Sequence, residues 1–221
     1  DAAWAKELRD ELGWLGTELG PARDLDVLVE HVREEVEALG RAEEPLAALV
    51  ASLERDHAAA RKEAVAALSD ERYFALLDRL EGAAAVSAAD TDAGLAELWW
   101  AQFKRTRTGF RGLGSSSRDE KLHAARILVK RTRYSAELGA TELGRRGEKV
   151  VAAAKRLQDV LGEHQDAAVA EAKVLEWANS VGDAEAATVL LRRERDRRAQ
   201  ARVDWPKRWK TLEKRALAAK P

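Results

Sequence analysis

His123, Arg126, Lys130 and Arg133 follow one another at steps of three, four and three in the stretch LHAARILVKRTRYSAEL. At ~100° per residue, this spacing puts all four, with Tyr134, on one helical stripe within about 100° of arc. Like charges four residues apart repel by about 0.2–0.5 kcal/mol each. A row of one imidazole and three cations therefore calls for something negative beside it. Arginine offers a fixed bidentate fork and lysine a mobile point charge; histidine donates while neutral or joins as a cation. This is the chemistry of phosphate binding. Leu122 and Val129 on one edge, and Ile127 and Leu138 on the other, are expected to hold the row between apolar borders. That setting favours an anion groove over a solvated face.

Other segments repeat the pattern. Lys104, Arg107 and Arg111 share a stripe, as do Arg195, Arg198 and Arg202, while His57 and Arg61 stand four apart. Each row alone reads more readily as a solvated face; together they are expected to point cations into one seam. Lys155 is placed to reach that seam. Acidic runs such as Glu34-Glu35 and Glu43-Glu44 would then lie on outer surfaces. Arg23, beside Asp24, reads equally as a phosphate contact at a helix start and as a salt bridge steadying a turn. Asp24 and Asp166 read as helix caps. Asp24-x-Asp26 and His164-x-Asp166 have metal-pair spacing, but the cap and turn readings are preferred, so no metal site is expected. His31 reads as incidental. The tryptophans at 14, 99, 100 and 177 fall within apolar helical patterns, and Trp205 and Trp209 close the last helix.

The elements that must carry these rows are helices nearly end to end. The spacing predicts helices over 2–19, ending at Gly20-Pro21; from Asp24 to about Leu39; from Pro45 to Leu68; and from Ser69 or Asp70 past Leu80. GAAAVSAAD reads as a loop and GLGSSS as a linker. A helix starts near Thr91, and the His123 helix starts near Arg118 and gives way at Gly144 or Gly147. Further helices end at Gly162, start at Asp166 and end near Gly182; the last runs from Asp183 to Pro206 or beyond.

Composition sets outer bounds. With 46% hydrophobic and 35% charged residues in 221, the chain has a globular balance and room for a real core. Strand-like alternation is absent, so the fold class is all-α. There is no cysteine, which excludes disulfides and thiolate chemistry and fits a cytoplasmic protein. No apolar run of about 18 residues predicts a membrane span, and no leader pattern stands at the start. The net charge of −1 predicts no polyanion partner, so such a partner has to be argued from where the charges sit. No Walker loop, GxGxxG, HExxH or acid–base constellation occurs. The reading is a binding module without cofactor, not an enzyme.

A repeat organises the chain. Leu15, Leu19, Gly20, Asp24 and Val27 match Leu157, Leu161, Gly162, Asp166 and Val169 at one offset of about 140 residues. Two related helical bundles follow, residues 1–112 and 118–221, with 113–117 as linker. The repeat also implies a counterpart of the His123 helix upstream of Asp1.

Three stretches, LGPARDLDVL, KLHAARILVKRTRYSAEL and KRLQDVLGEHQDAAV, in that order, resemble the CHAD family, the conserved histidine α-helical domain. Gln165 stands where the family more often has asparagine. The resemblance implies two four-helix bundles related by approximate two-fold symmetry, forming together one CHAD-like domain. It also implies non-catalytic binding of inorganic polyphosphate in a basic groove between them. Implied partners are a triphosphate tunnel domain or polyphosphate granule proteins, with granule association in the cell. A nucleic-acid-binding module and an accessory domain of a triphosphate-processing enzyme are the alternatives. Nucleic acid is disfavoured because aromatics are only 5% of residues and read mostly as core.

Overall fold

The computed structural model describes residues 2–39, 44–85, 94–181 and 184–221 and shows, among them, eight helices and no strand. These are α1 (Ala2–Ala38), α2 (Glu44–Leu68), α3 (Glu71–Ala85), α4 (Leu95–Gly109), α5 (Asp119–Leu138), α6 (Ala140–Leu143), α7 (Arg145–Val181) and α8 (Ala184–Ala218). The chain divides into two compact units, each discontinuous in sequence: Asp1–Ala89 with Val174–Leu190, and Asp90–Lys173 with Leu191–Pro221. Residues 113–117, expected to separate two bundles, join α4 to α5 within the second unit. The expected helix start at Thr91, and most of the GAAAVSAAD loop, lie outside the described residues.

In the first unit α1 packs along α2 and α3. The predicted break at Gly20-Pro21 does not occur, because α1 continues with Pro21 inside it. An interior proline forfeits a backbone hydrogen bond and costs about 3 kcal/mol. Leu28, Val29 and Val32 of α1 are buried, as are Leu46, Leu49 and Leu53 of α2. At about 1.5–3 kcal/mol per side chain, that burial outweighs the cost. Asp24 is therefore a mid-helix residue and not a cap. A true cap stands at Asp70, whose Oδ1 accepts from the Arg72 amide at 2.8 Å and starts α3.

In the second unit the same correction applies to α7, which runs unbroken through Gly162 and Asp166. Leu157, Leu161 and Ala167 are buried along it, which offsets the ~1 kcal/mol an interior glycine costs. Both α1 and α7 are 37 residues long, and neither stops at the Leu-Gly pair that the repeat led one to expect. Trp99, Phe103, Phe110 and Trp205 fill the core of this unit, and Phe110 stacks on Trp209 at 4.0 Å between ring centroids.

Packing fixes the rotation of α5. Its buried face is Leu122, Ala125, Val129, Thr132 and Ala136. The Thr132 and Thr106 hydroxyls meet at 2.7 Å in the interior, and this pins α5 to α4. With Asp119 and Glu120 in its first turn, α5 has the acidic start that the helix dipole favours. Gly139 ends it. After the single turn of α6, Gly144 adopts φ +55 and lets the chain restart as α7.

Candidate anion-binding site

Because the buried face of α5 is fixed, the position of its basic row is fixed too. His123 and Lys130 are exposed, and Arg126 and Arg133 are half-buried at the edge of the core. The row has one apolar border, not two. Leu122 and Val129 are buried, but Ile127 is 39% and Leu138 68% exposed. Tyr134 lies on the row, with the Arg133 guanidinium 4.7 Å and the Lys130 ammonium 5.9 Å from its ring centroid. Among the described residues no carboxylate lies at ion-pair distance from His123, Arg126 or Lys130. Arg133 has a long contact of 3.7 Å with Glu137, one turn away.

A second helix borders the row. His123 Nδ1 is 3.1 Å from Gln165 Oε1 of α7. One turn along, Arg126 Nε lies 3.9 Å from where a side chain on Gly162 would begin. A step forward on α5 is thus a step back on α7, so the two helices run antiparallel. The α7 residues Lys155, Gln158, Gly162 and Gln165 have the same three-four-three spacing as the row on α5. Counting back in register places Gln158 level with Lys130, and Lys155, which is exposed, level with Arg133. Sequence reasoning marked Gln165 only as a departure and Gly162 only as a stop. The shared spacing was the signal that joins them to the site.

The other basic rows behave differently. On α8, Arg195 and Arg198 both donate to Glu171 at 2.7 Å, and Arg198 also donates to Asp119 at 2.6 Å. Arg202 donates to Asp119 and to the carbonyls of Ser115 and Ser117 at 2.7 and 2.6 Å. These three line an open hollow with Arg118 and Ser116, and each is ion-paired within the protein, to Glu171 or Asp119. Burial alone would raise the Glu171 carboxyl; hydrogen bonds from Arg195 and Arg198 outweigh it and hold the group below its usual range. His164 is not a turn residue but a buried one. Its Nε2 lies 3.2 Å from Asp119 Oδ1 without hydrogen-bond alignment. Burial lowers its pKa, against the pull of Asp119.

On α4, Arg107 is taken by Glu213 at 2.7 Å and Lys104 is exposed; Arg111, also exposed, lies in the turn after the helix ends, so the three do not share one helical stripe. In the first unit, His57 Nε2 meets Asp26 at 2.6 Å, Arg23 meets its neighbour Asp24 at 2.9 Å, and Arg61 is exposed. Within the second unit, the structure thus brings His123, Arg126, Lys130, Arg133 and Tyr134 together on one open face. It gathers Arg195, Arg198 and Arg202 on a carboxylate pair instead.

Known proteins sharpen this picture. The CHAD domain matches residues 1–175. Two uncharacterized proteins of Mycobacterium tuberculosis, Rv2226 of strain H37Rv and MT2285 of strain CDC 1551, are each 32% identical over 202 residues. Each alignment covers 83% of this chain and 37% of the relative, so the chain spans little more than a third of their length. The structure of PptA from Streptomyces chartreusis aligns with a TM-score of 0.75 over 95% of this chain and 81% of its own, at 21% identity, which shows a shared fold. CHAD domains are associated with polyphosphate- and triphosphate-related proteins. By this match along most of its length, by the shared fold and by its three motifs, the chain belongs to the CHAD family.

Proposed function

We propose that the chain binds inorganic polyphosphate along the open face of α5 and does not cleave it. The observation that carries this reading is the sorting of the cations. On α8, Arg195, Arg198 and Arg202 are paired with Glu171 and Asp119, whereas His123, Arg126 and Lys130 face no carboxylate among the described residues. From residue 123 to 133 the row is about 15 Å long at 1.5 Å per residue, so it fits a stretch of linear polyanion and not one isolated phosphate. Arg126 and Arg133 supply forks and Lys130 a point charge; counterion release makes the affinity fall with salt. Tyr134 speaks against nucleic acid as the preferred ligand. Base stacking on a single strand draws on several open aromatic faces, and the row offers this one exposed ring, with two cations beside it. The cytoplasm, polyphosphate granules and a triphosphate tunnel domain are the proposed setting and partners.

Competition of long-chain polyphosphate against RNA and DNA tests the proposal. Displacement of a labelled polyphosphate only by polyphosphate supports it; preferential displacement by nucleic acid defeats it. Incubation with triphosphate and a divalent metal is expected to release no phosphate.

A further inference from the structure

The contact between α5 and α7 decides which nitrogen of His123 can meet a ligand. Gln165 Oε1 is an amide oxygen and only accepts, so at 3.1 Å it takes the hydrogen of His123 Nδ1. A neutral imidazole has a single N–H. The neutral ring therefore uses its one donor on Gln165, and Nε2 carries a lone pair. A phosphate oxygen approaching that lone pair is repelled. A proton added at Nε2 reverses this: the ring gains a donor and a charge there while the Nδ1–H bond to Gln165 stays in place.

We propose that Gln165 is a positioning residue that makes polyphosphate binding take up a proton at His123. The inference rests on the polyphosphate reading above and adds its regulation. The linkage is reciprocal: the anion draws a proton onto Nε2, and acid strengthens binding as pH falls through the range where histidines titrate. The charged surroundings of the ring are few. On α5, Arg126 lies one turn ahead and Asp119 and Glu120 one turn behind. Asp119 is already engaged by Arg198 and Arg202 of α8. On α7, Gln165 is flanked by Asp166 and by His164, which is buried against Asp119, and the adjoining turns present Gly162 and Val169.

The test is calorimetric titration of the full chain with long-chain polyphosphate, whose end groups contribute few protons. It is run at pH 5.5 and pH 8 in buffers of different ionisation enthalpy. The wild type is expected to take up protons on binding and to bind about 10-fold tighter at the lower pH. His123→Ala should lose most of that uptake. Gln165→Leu frees Nδ1 from its acceptor, so the neutral ring can carry its hydrogen on Nε2; this variant should bind tighter than wild type at pH 8, with a flatter pH profile. Nitrogen NMR of the free protein at pH 8 should show the Nδ1–H tautomer of His123, a readout that needs no variant. Equal proton uptake by wild type and His123→Ala, an unchanged pH profile in Gln165→Leu, or an Nε2–H tautomer overturns the inference while leaving polyphosphate binding intact. Absence of binding at both pH values overturns both.

Discussion

Arg198→Ala and Arg126→Ala should have opposite phenotypes. Arg198 makes two charge-assisted hydrogen bonds, 2.7 Å to Glu171 and 2.6 Å to Asp119, with its side chain 30% exposed. Fully enclosed bonds of this kind contribute about 1.5–3 kcal/mol each, and exposed ion pairs about 0.2–1. Its removal strands neither carboxylate, because Glu171 keeps Arg195 and Asp119 keeps Arg202. The expected loss is about 2 kcal/mol, or a melting point lower by roughly 4–8 °C for a chain of this size. Affinity for polyphosphate should stay within about twofold. Arg126 has no carboxylate to lose and only part of its stem to unpack, so Arg126→Ala should cost about 1 kcal/mol or less of stability. It should remove a charged contact of about 1.5–3 kcal/mol to the anion, which is roughly 10- to 100-fold in affinity at low salt. Thermal unfolding followed by circular dichroism, paired with titration calorimetry, reads both. Tenfold weaker binding in Arg198→Ala at an unchanged melting point would refute the division into supporting and binding arginines.

Two further outcomes follow from the second unit. The Thr106 and Thr132 hydroxyls are fully buried partners, and Thr106 Oγ1 also reaches the Gln102 and Leu128 carbonyls at 3.2 and 3.3 Å, so Thr132→Val should cost about 0.5–1.5 kcal/mol, the net worth of one hydrogen bond. The double valine variant should cost less than the sum of the singles in urea denaturation, and strict additivity would remove the pair from the account. His164 is held below the usual histidine pKa, chiefly by burial, so the unfolded chain takes its proton first. Its contribution is present above about pH 6.5 and is lost as the pH falls below that value. Unfolding free energies at pH 7.5 and pH 5 should show a smaller acid loss in His164→Gln than in wild type; equal losses would assign the acid sensitivity elsewhere.

Helix content, the start of α3 at Asp70 and the row on α5 were legible in the sequence because each is local. Periodicity within one helix fixes which residues share a face, and a cap needs only two residues. The continuation of α1 through Gly20-Pro21 was not legible, because burial of Leu28, Val29 and Val32 overrode the local stop signal. The rows on α5 and α8 look alike in sequence. What separates them is the position of Glu171 and Asp119, which lie 24 and 83 residues from the arginines they meet. A stripe records which cations face one way and not what faces them. Gln165 and Gly162 gained their meaning in the same manner, from a neighbour on another helix.

The most direct measurement is the affinity for long-chain polyphosphate as a function of salt, in wild type and in Arg126→Ala/Lys130→Ala. With Arg126, Lys130 and Arg133 each releasing counterion at about 0.7 per contact, the wild-type log–log slope should be near −2. The double variant should fall to a slope shallower than about −1 and bind at least tenfold more weakly at low salt. Equal slopes and affinities in the two proteins would contradict the claim that α5 holds the anion.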